Sequence, residues 1–352
     1  MGLHRVGILT GGGDAPGLNA VMRAFIKRAV GQLHWQVVGI EDSFDGLLET
    51  PLRVHELSPR DCAGLLARGG TFLGTTNRGD PFDYHDQGDL SPRIPAAMEN
   101  LGLEGLVVIG GDGTQSIALR LMEELGVKVV GVPKTIDNDL SATDRTFGFQ
   151  SAVEVATEAL DRLHTTAESH DRVILLEVMG RHAGHIALHA GVSGGADCIV
   201  IPEIPYDPDR ICDKVRQRRS HGRHFTLIVV AEGAVSATGE KPVQRPGLSI
   251  GGPSLLLADQ IKARIDAEVR VTVLGHLQRG GSPCAYDRLL STRYGVAAVD
   301  LVEEGAWGQI TVLRNGEIIG VPIAEAVRTL RRVDPQGQLV RAARAVGVEF
   351  GA

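Results

Sequence analysis

Apolar positions along the chain fall into short unbroken runs separated by stretches of helical spacing. Residues 4–10 (HRVGILT), 35–40 (WQVVGI), 103–109 (LEGLVVI), 127–132 (VKVVGV), 172–179 (RVILLEVM), 197–201 (DCIVI), 225–231 (FTLIVVA) and 269–274 (VRVTVL) are short runs rich in apolar and β-branched residues, and 103–109 and 127–132 read as buried on both faces. Strands covered on both sides must look like this. Between them, residues 18–30, 59–68, 115–125, 150–167, 183–191, 207–219, 252–267 and 287–304 carry helical patterns, with a polar loop at 235–249. Strand–helix alternation of this kind predicts an α/β fold, with helices on both faces of parallel sheets.

The residues just past the strands carry chemistry rather than architecture. The first run ends in GGGDAPG (11–17), the third in GGDGT (110–114), and residues 69–80 form a loop rich in glycine and hydroxyl groups that holds Asn77 and Arg78. Glycine turns that open helices present backbone N–H groups to an anion, and the helix dipole favours its charge. Neither G-x-x-x-x-G-K-[ST] nor a clean G-x-G-x-x-G is present. The 127–132 run leads into PKTIDND (133–139), which puts Asp137 and Asp139 just past a strand's carboxyl end. Later strands end in Arg181, Glu203, Glu232, and then His276 with Arg279. Recurrent polar clusters at carboxyl edges are the pattern of a ligand cleft. Acids and glycine turns before residue 140 suit a nucleotide with Mg²⁺. Arginines and a histidine after 170 suit a phosphorylated acceptor.

Those residue types describe phosphoryl transfer, which needs a base, a cation and fixed donors for the moving charge. Asp137 is the candidate base and Asp112 the candidate Mg²⁺ ligand. Thr135 is placed to hydrogen-bond the transferring group, and Arg172, Arg181, Arg270 and Arg279 are clamps for a sugar phosphate. His182, His185 and His189 share helical spacing, but no carboxylate joins them, which sets zinc aside. The basic stretch 216–223 is either a solvated helix face or an effector-anion site.

Composition narrows the class. A length of 352 residues suggests two domains, and a net charge of −7 argues against nucleic-acid or anionic-membrane binding. Four cysteines without a C-x-x-C pair predict a reducing compartment. The chain enters a strand almost at once, so no signal peptide is expected, and no apolar run reaches the ~18 residues of a membrane span. The expected location is cytoplasmic.

At this point the motifs are recognisable together. GGGDAPGLNA, GGTFLGTTN, GGDGT, PKTIDND, EVMGRHAGHIAL, PE, AEG and VTVLGHLQRGG occur in the order and spacing of the 6-phosphofructokinases, and the chain resembles that family from residue 4 to about 310. The resemblance implies transfer of the ATP γ-phosphate to the 1-hydroxyl of fructose 6-phosphate, with Mg²⁺. It also implies two Rossmann-like parallel-sheet domains with the active site in the cleft between them. The larger, nucleotide-binding domain is expected at 1–140 plus about 252–310. The smaller, sugar-phosphate-binding domain is expected at 141–251 plus 311–352.

By matching position, Gly13, Gly111, Asp112, Gly113 and Thr114 are expected along the ATP, together with Asn77 and Arg78. Asp112 is expected on the metal and Asp137 as base. Thr135, Met179, Gly180, Arg181, Glu232, His276 and Arg279 are expected on the sugar phosphate. Arg172 and Arg270 match arginines that reach a neighbouring subunit's substrate, which implies a homodimer or homotetramer.

Donor choice is the fork. Pyrophosphate-using members usually carry Asp in place of Gly113 and Lys at the position of Lys134, whereas familiar ATP-using bacterial members have Gly at both. The mixture of Gly113 and Lys134 is read for ATP, because a carboxylate at 113 would occupy and repel the α-phosphate. The alternative is a reversible, pyrophosphate-dependent enzyme. Arg23 matches one effector-site arginine, while Lys27 replaces a second and His164 a third. The tail beyond 311 resembles that of the mixed-type branch.

Overall fold

The computed structural model describes residues 4–241 and 252–352, so residues 242–249 of the expected polar loop and Gly251 lie outside the described residues. In chain order the elements are β1 Arg5–Thr10, α1 Leu18–Ala29, β2 Gln36–Ile40, α2 Asp45–Leu48, β3 Val54–Leu57, α3 Arg93–Leu101, β4 Gly105–Gly110, α4 Asp112–Leu125, β5 Val129–Thr135 and β6 Phe147–Gly148. They continue with α5 Phe149–Ser169, β7 Val173–Val178, α6 His185–Ser193, β8 Cys198–Val200, α7 Pro208–Ser220, β9 Thr226–Ala231, α8 Gly252–Lys262 and β10 Val269–Val273. The last are α9 Ala285–Glu303, β11 Gln309–Arg314, β12 Glu317–Pro322, α10 Ile323–Val327 and α11 Gln338–Ala345.

Two compact units result. The first comprises Met1–Ile136, Leu140–Gln150 and Arg279–Leu330. Its sheet runs β12-β11-β5-β4-β1-β2-β3, with β6 added to the end of β5. The strands from β11 to β2 are parallel neighbours, whereas β3 and β12 run antiparallel at the two edges. Every residue of β4 and β5 is buried. Each large aliphatic side chain so removed from water contributes about 1.5–3 kcal/mol. On one face α1 packs against α9, with Met22, Phe25, Tyr294, Val299 and Val302 in a common core.

At Gly295 the α1–α9 approach leaves no room for a side chain, since an added Cβ would sit 2.8 Å from the Ala24 methyl. Alanine there gains about 1 kcal/mol of helix propensity. Overpacking against a helix backbone costs about 1–3 kcal/mol. Gly295→Ala is therefore expected to lower the thermal midpoint, measurable by circular dichroism.

The second unit comprises Asp137–Asp139, Ser151–Gln278 and Arg331–Ala352. Its four-stranded sheet, β10-β7-β9-β8, is entirely parallel. The sheet is extended at β8 by a bridge from Cys198 to Glu349 of the chain's tail.

Several expectations need correction. Residues 252–278 lie with the second unit, because β10 pairs with β7. Residues 311–330 lie with the first, because β11 pairs with β5 at Ile310 and Gly131. The strand expected to stop at 132 continues through Thr135, carried by pairing of Lys134 with Phe147 and Thr135 with Gly148. The helix expected over 59–68 is a series of turns with a 3-10 turn at Leu65–Ala67. There Asp61 accepts hydrogen bonds from the Ser58 backbone (2.7 Å) and hydroxyl (2.8 Å), and such local bonds compete with the helical ladder. Helix α8 stops at Lys262 rather than 267; Arg216 and Arg219 then take up the carbonyls of Arg264 and Asp266 at 3.2 and 2.8 Å.

Candidate active site

In the first unit three loops meet at the carboxyl ends of β1 and β4. The turn after β1 is stitched to both neighbours. Gly11 N donates to Ile109 O at 2.9 Å, and Gly12 N to Thr76 O at 3.0 Å. Thr75 Oγ1 donates to Gly12 O at 2.6 Å, and Thr10 Oγ1 to Gly74 O at 2.7 Å. A Cβ on Gly11 would lie 2.9 Å from Thr114 Oγ1, so the GGDGT turn abuts the first glycine turn. Gly13, Asn77, Gly111 and Thr114 thus share one neighbourhood. Asn77, Arg78, Asp112 and Gly113 are exposed there. Behind the 71–79 loop, burial pushes the Asp45 carboxyl above its ordinary range, and Glu49 adds to the effect.

Asp112 opens α4, where the helix dipole favours a carboxylate. Among the described residues no group of three or more His, Cys, Asp or Glu is arranged to hold a metal ion. A lone exposed carboxylate beside an anion turn suits Mg²⁺, which binds through one or two carboxylates plus ligand phosphates rather than an all-protein cage. A Cβ added at Gly113 would have no heavy atom within 4 Å, so this position faces open space. Lys134 is buried, and its Nζ donates to Gly13 O across the ends of β5 and β1. Arg279, expected on the sugar phosphate, lies in this unit with Nη1 donating to Asp14 O at 3.1 Å.

The PKTIDND segment leaves β5 at Thr135, whose carbonyl accepts from Thr146 Oγ1 at 2.7 Å. Asp137 comes next but one, half-buried, between the buried Ile136 and Asn138. Asn138 takes a left-handed conformation (φ 54°), which asparagine tolerates better than most residues. Asp139 is buried, and its carbonyl accepts from Arg331 N at 2.7 Å.

In the second unit β7 delivers Met179, Gly180 and Arg181. Gly180 has φ +127°, a conformation for which only glycine is well suited. Arg181 is exposed. The turn is fastened on two sides: Gly233 N donates to Gly180 O at 3.2 Å, and Met179 N to Gln278 Oε1 at 3.3 Å. Gln278 is fully buried and also donates from Nε2 to Gly275 O at 3.1 Å, so one amide ties the Met179 turn to the His276 turn. Glu232 begins where β9 ends, its N–H on Val178 O at 2.9 Å. Arg172 and Arg270 stand side by side, sharing Glu268 Oε1 at 2.8 and 2.6 Å.

Of His182, His185 and His189, two lie against backbone carbonyls: His189 Nδ1 is 2.8 Å from His185 O, and His185 Nε2 is 3.2 Å from Arg331 O. Two supporting residues are not evident from the sequence. Gln278 is hidden inside a motif valued for His276 and Arg279. Glu177, on an apolar strand, is buried and accepts from Ser254 N and Oγ at 3.0 and 2.5 Å. Its signal is a charge inside a core run.

The Phosphofructokinase family matches residues 5–302. An ATP-dependent 6-phosphofructokinase of Chloroflexus aurantiacus is 54% identical over 352 residues, covering 99% of this chain and 98% of that one. A pyrophosphate--fructose 6-phosphate 1-phosphotransferase of Streptomyces coelicolor is 48% identical, covering 94% of this chain and 96% of that one. The solved phosphofructokinase of Saccharomyces cerevisiae superposes with a TM-score of 0.79 at 32% identity, covering 92% of this chain and 45% of that one. The chain belongs to the phosphofructokinase family.

Proposed function

We propose that the chain is an ATP-dependent 6-phosphofructokinase, which transfers the γ-phosphoryl group of ATP to the 1-hydroxyl of fructose 6-phosphate. The observation that carries this reading is the convergence of the 11–17, 71–79 and 110–114 loops around an exposed Asp112 and an open Gly113. The Chloroflexus relative's name supports the same donor.

In the reaction Asp137 takes the proton of the 1-hydroxyl as that oxygen bonds to the γ-phosphorus and the bond to ADP breaks. The Thr135 hydroxyl orients the transferring group, and Arg181 stabilises its charge. Asp112 holds Mg²⁺, which when bound neutralises donor phosphate charge. Gly13, Gly111, Gly113 and Thr114 line the triphosphate, with Asn77 and Arg78 at its edge. Met179, Gly180, Glu232, His276 and Arg279 bind the sugar phosphate. Arg172 and Arg270, held together by Glu268, present a paired cationic face to a neighbouring subunit's substrate in a homodimer or homotetramer.

The donor residues belong to the first unit. Asp137 and most acceptor residues belong to the second. A cytoplasmic location fits four cysteines outside any disulfide, and no described helix is long and apolar enough to cross a membrane.

One observation favours the second reading, use of pyrophosphate: Lys134 Nζ sits at the phosphate turn, as the Streptomyces relative's activity makes relevant. Lysine there can assist a phosphate of either donor, whereas Gly113 leaves room only ATP needs. The proposed activity is tested by incubating the protein with MgATP and fructose 6-phosphate and following the product by phosphorus NMR. A new phosphate ester at C1, cleavable by aldolase, is expected. Phosphorylation elsewhere on the sugar, or none with either donor, overturns the assignment.

A further inference from the structure

The tail beyond residue 330 supplies no group to the proposed chemistry, yet it touches two segments that do. Arg331 N donates to Asp139 O at 2.7 Å, two residues from Asp137. Arg331 O lies 3.2 Å from His185 Nε2, which must carry the proton because a carbonyl only accepts. Two residues on, Val333 N donates to Glu203 Oε1 at 2.8 Å. The same carboxylate receives Gly184 N at 3.0 and 3.1 Å, three residues from Arg181.

The tail is itself anchored within the unit. Glu349 N donates to Asp197 O at 3.0 Å, Ile199 N to Glu349 O at 2.9 Å, and Asp207 N to Gly351 O at 2.8 Å. Phe350 is 1% exposed. The 331–333 stretch is therefore fixed at its far end and bonded to both segments at its near end.

We propose that residues 331–333 form a positioning strap, with Glu203 as its anchor, that sets the Asp137 segment against the Arg181 turn. This rests on the kinase reading for the roles of Asp137 and Arg181. The physical case is acceptor counting. An ionised carboxylate accepts from both backbone N–H groups, and such charge-assisted bonds are about twice as strong as neutral ones. Glu203 Oε1 receives both N–H groups and Oε2 receives Gly184 N as well, so a glutamine with its oxygen at Oε1 loses the charge assistance on both bonds and sets an NH₂ against the Gly184 N–H. A misplacement of about 1 Å among reacting groups can cost 10²-fold.

The test compares wild type with Glu203→Gln and Val333→Pro, which removes one donated N–H without touching the carboxylate. For both variants, KM for fructose 6-phosphate is expected to rise and kcat to fall, each by about tenfold, with KM for ATP unchanged. A variant that had merely lost part of its folded population would show lower kcat with both KM values at wild type, and that result overturns the strap. Amide hydrogen exchange gives a second readout, independent of activity. The Gly184 amide is expected to exchange about tenfold faster in Glu203→Gln, and unchanged protection there also overturns the proposal. If wild type turned over fructose 6-phosphate with no donor, the kinase reading would fail, and the exchange result would still decide the strap.

Discussion

Asp137→Asn is expected to lower kcat by about 10³-fold while leaving both KM values close to wild type. The substitution is isosteric, and backbone bonds on either side help to hold the segment: Thr135 O to the Thr146 hydroxyl, and Asp139 O to Arg331 N. Asparagine therefore keeps the backbone in place and removes only proton acceptance. Binding is expected to survive because the bonds that fasten the donor turns, Gly11 N to Ile109 O and Gly12 N to Thr76 O, and the Met179 turn, Met179 N to Gln278 Oε1, are kept in the variant. Residual turnover measures what positioning alone supplies. A coupled steady-state assay reads the effect, and near-normal kcat removes Asp137 as the base.

Gly113→Asp is expected to raise KM for ATP by about 100-fold and leave KM for fructose 6-phosphate unchanged, since unfavourable like-charge contacts cost several kcal/mol. Steric damage to the fold is not the cause, because a Cβ at this position meets nothing within 4 Å. Residue 113 lies in the first turn of α4, where an added carboxylate favours the helix dipole, so the variant is expected to unfold no earlier than wild type. The lost affinity would then come from charge and volume at the donor phosphates. An unchanged KM for ATP contradicts this account of donor choice.

The central strands were legible because they are buried on both faces and carry few polar interruptions; β4, β7 and β9 lie within a residue or two of their expected bounds. The end of β5 was not, because Pro133 and Lys134 look like strand terminators, and only pairing with β6 carries the strand past them. The β11–β12 hairpin was missed although its signal was present. Asn315-Gly316, both with positive φ, joins two apolar runs, and that dipeptide is the commonest short hairpin turn. Site residues at strand ends were visible as polar clusters. Gln278, Glu177 and the Glu203–Val333 bond were not, because they act through side-chain contacts between segments far apart in sequence.

The most direct test of the account is a coupled assay that presents fructose 6-phosphate with MgATP in one arm and magnesium pyrophosphate in the other, with the same protein preparation. Turnover with ATP and none with pyrophosphate is the predicted result. Turnover with pyrophosphate and none with ATP would contradict it, and would make Lys134 rather than Gly113 the residue that sets the donor.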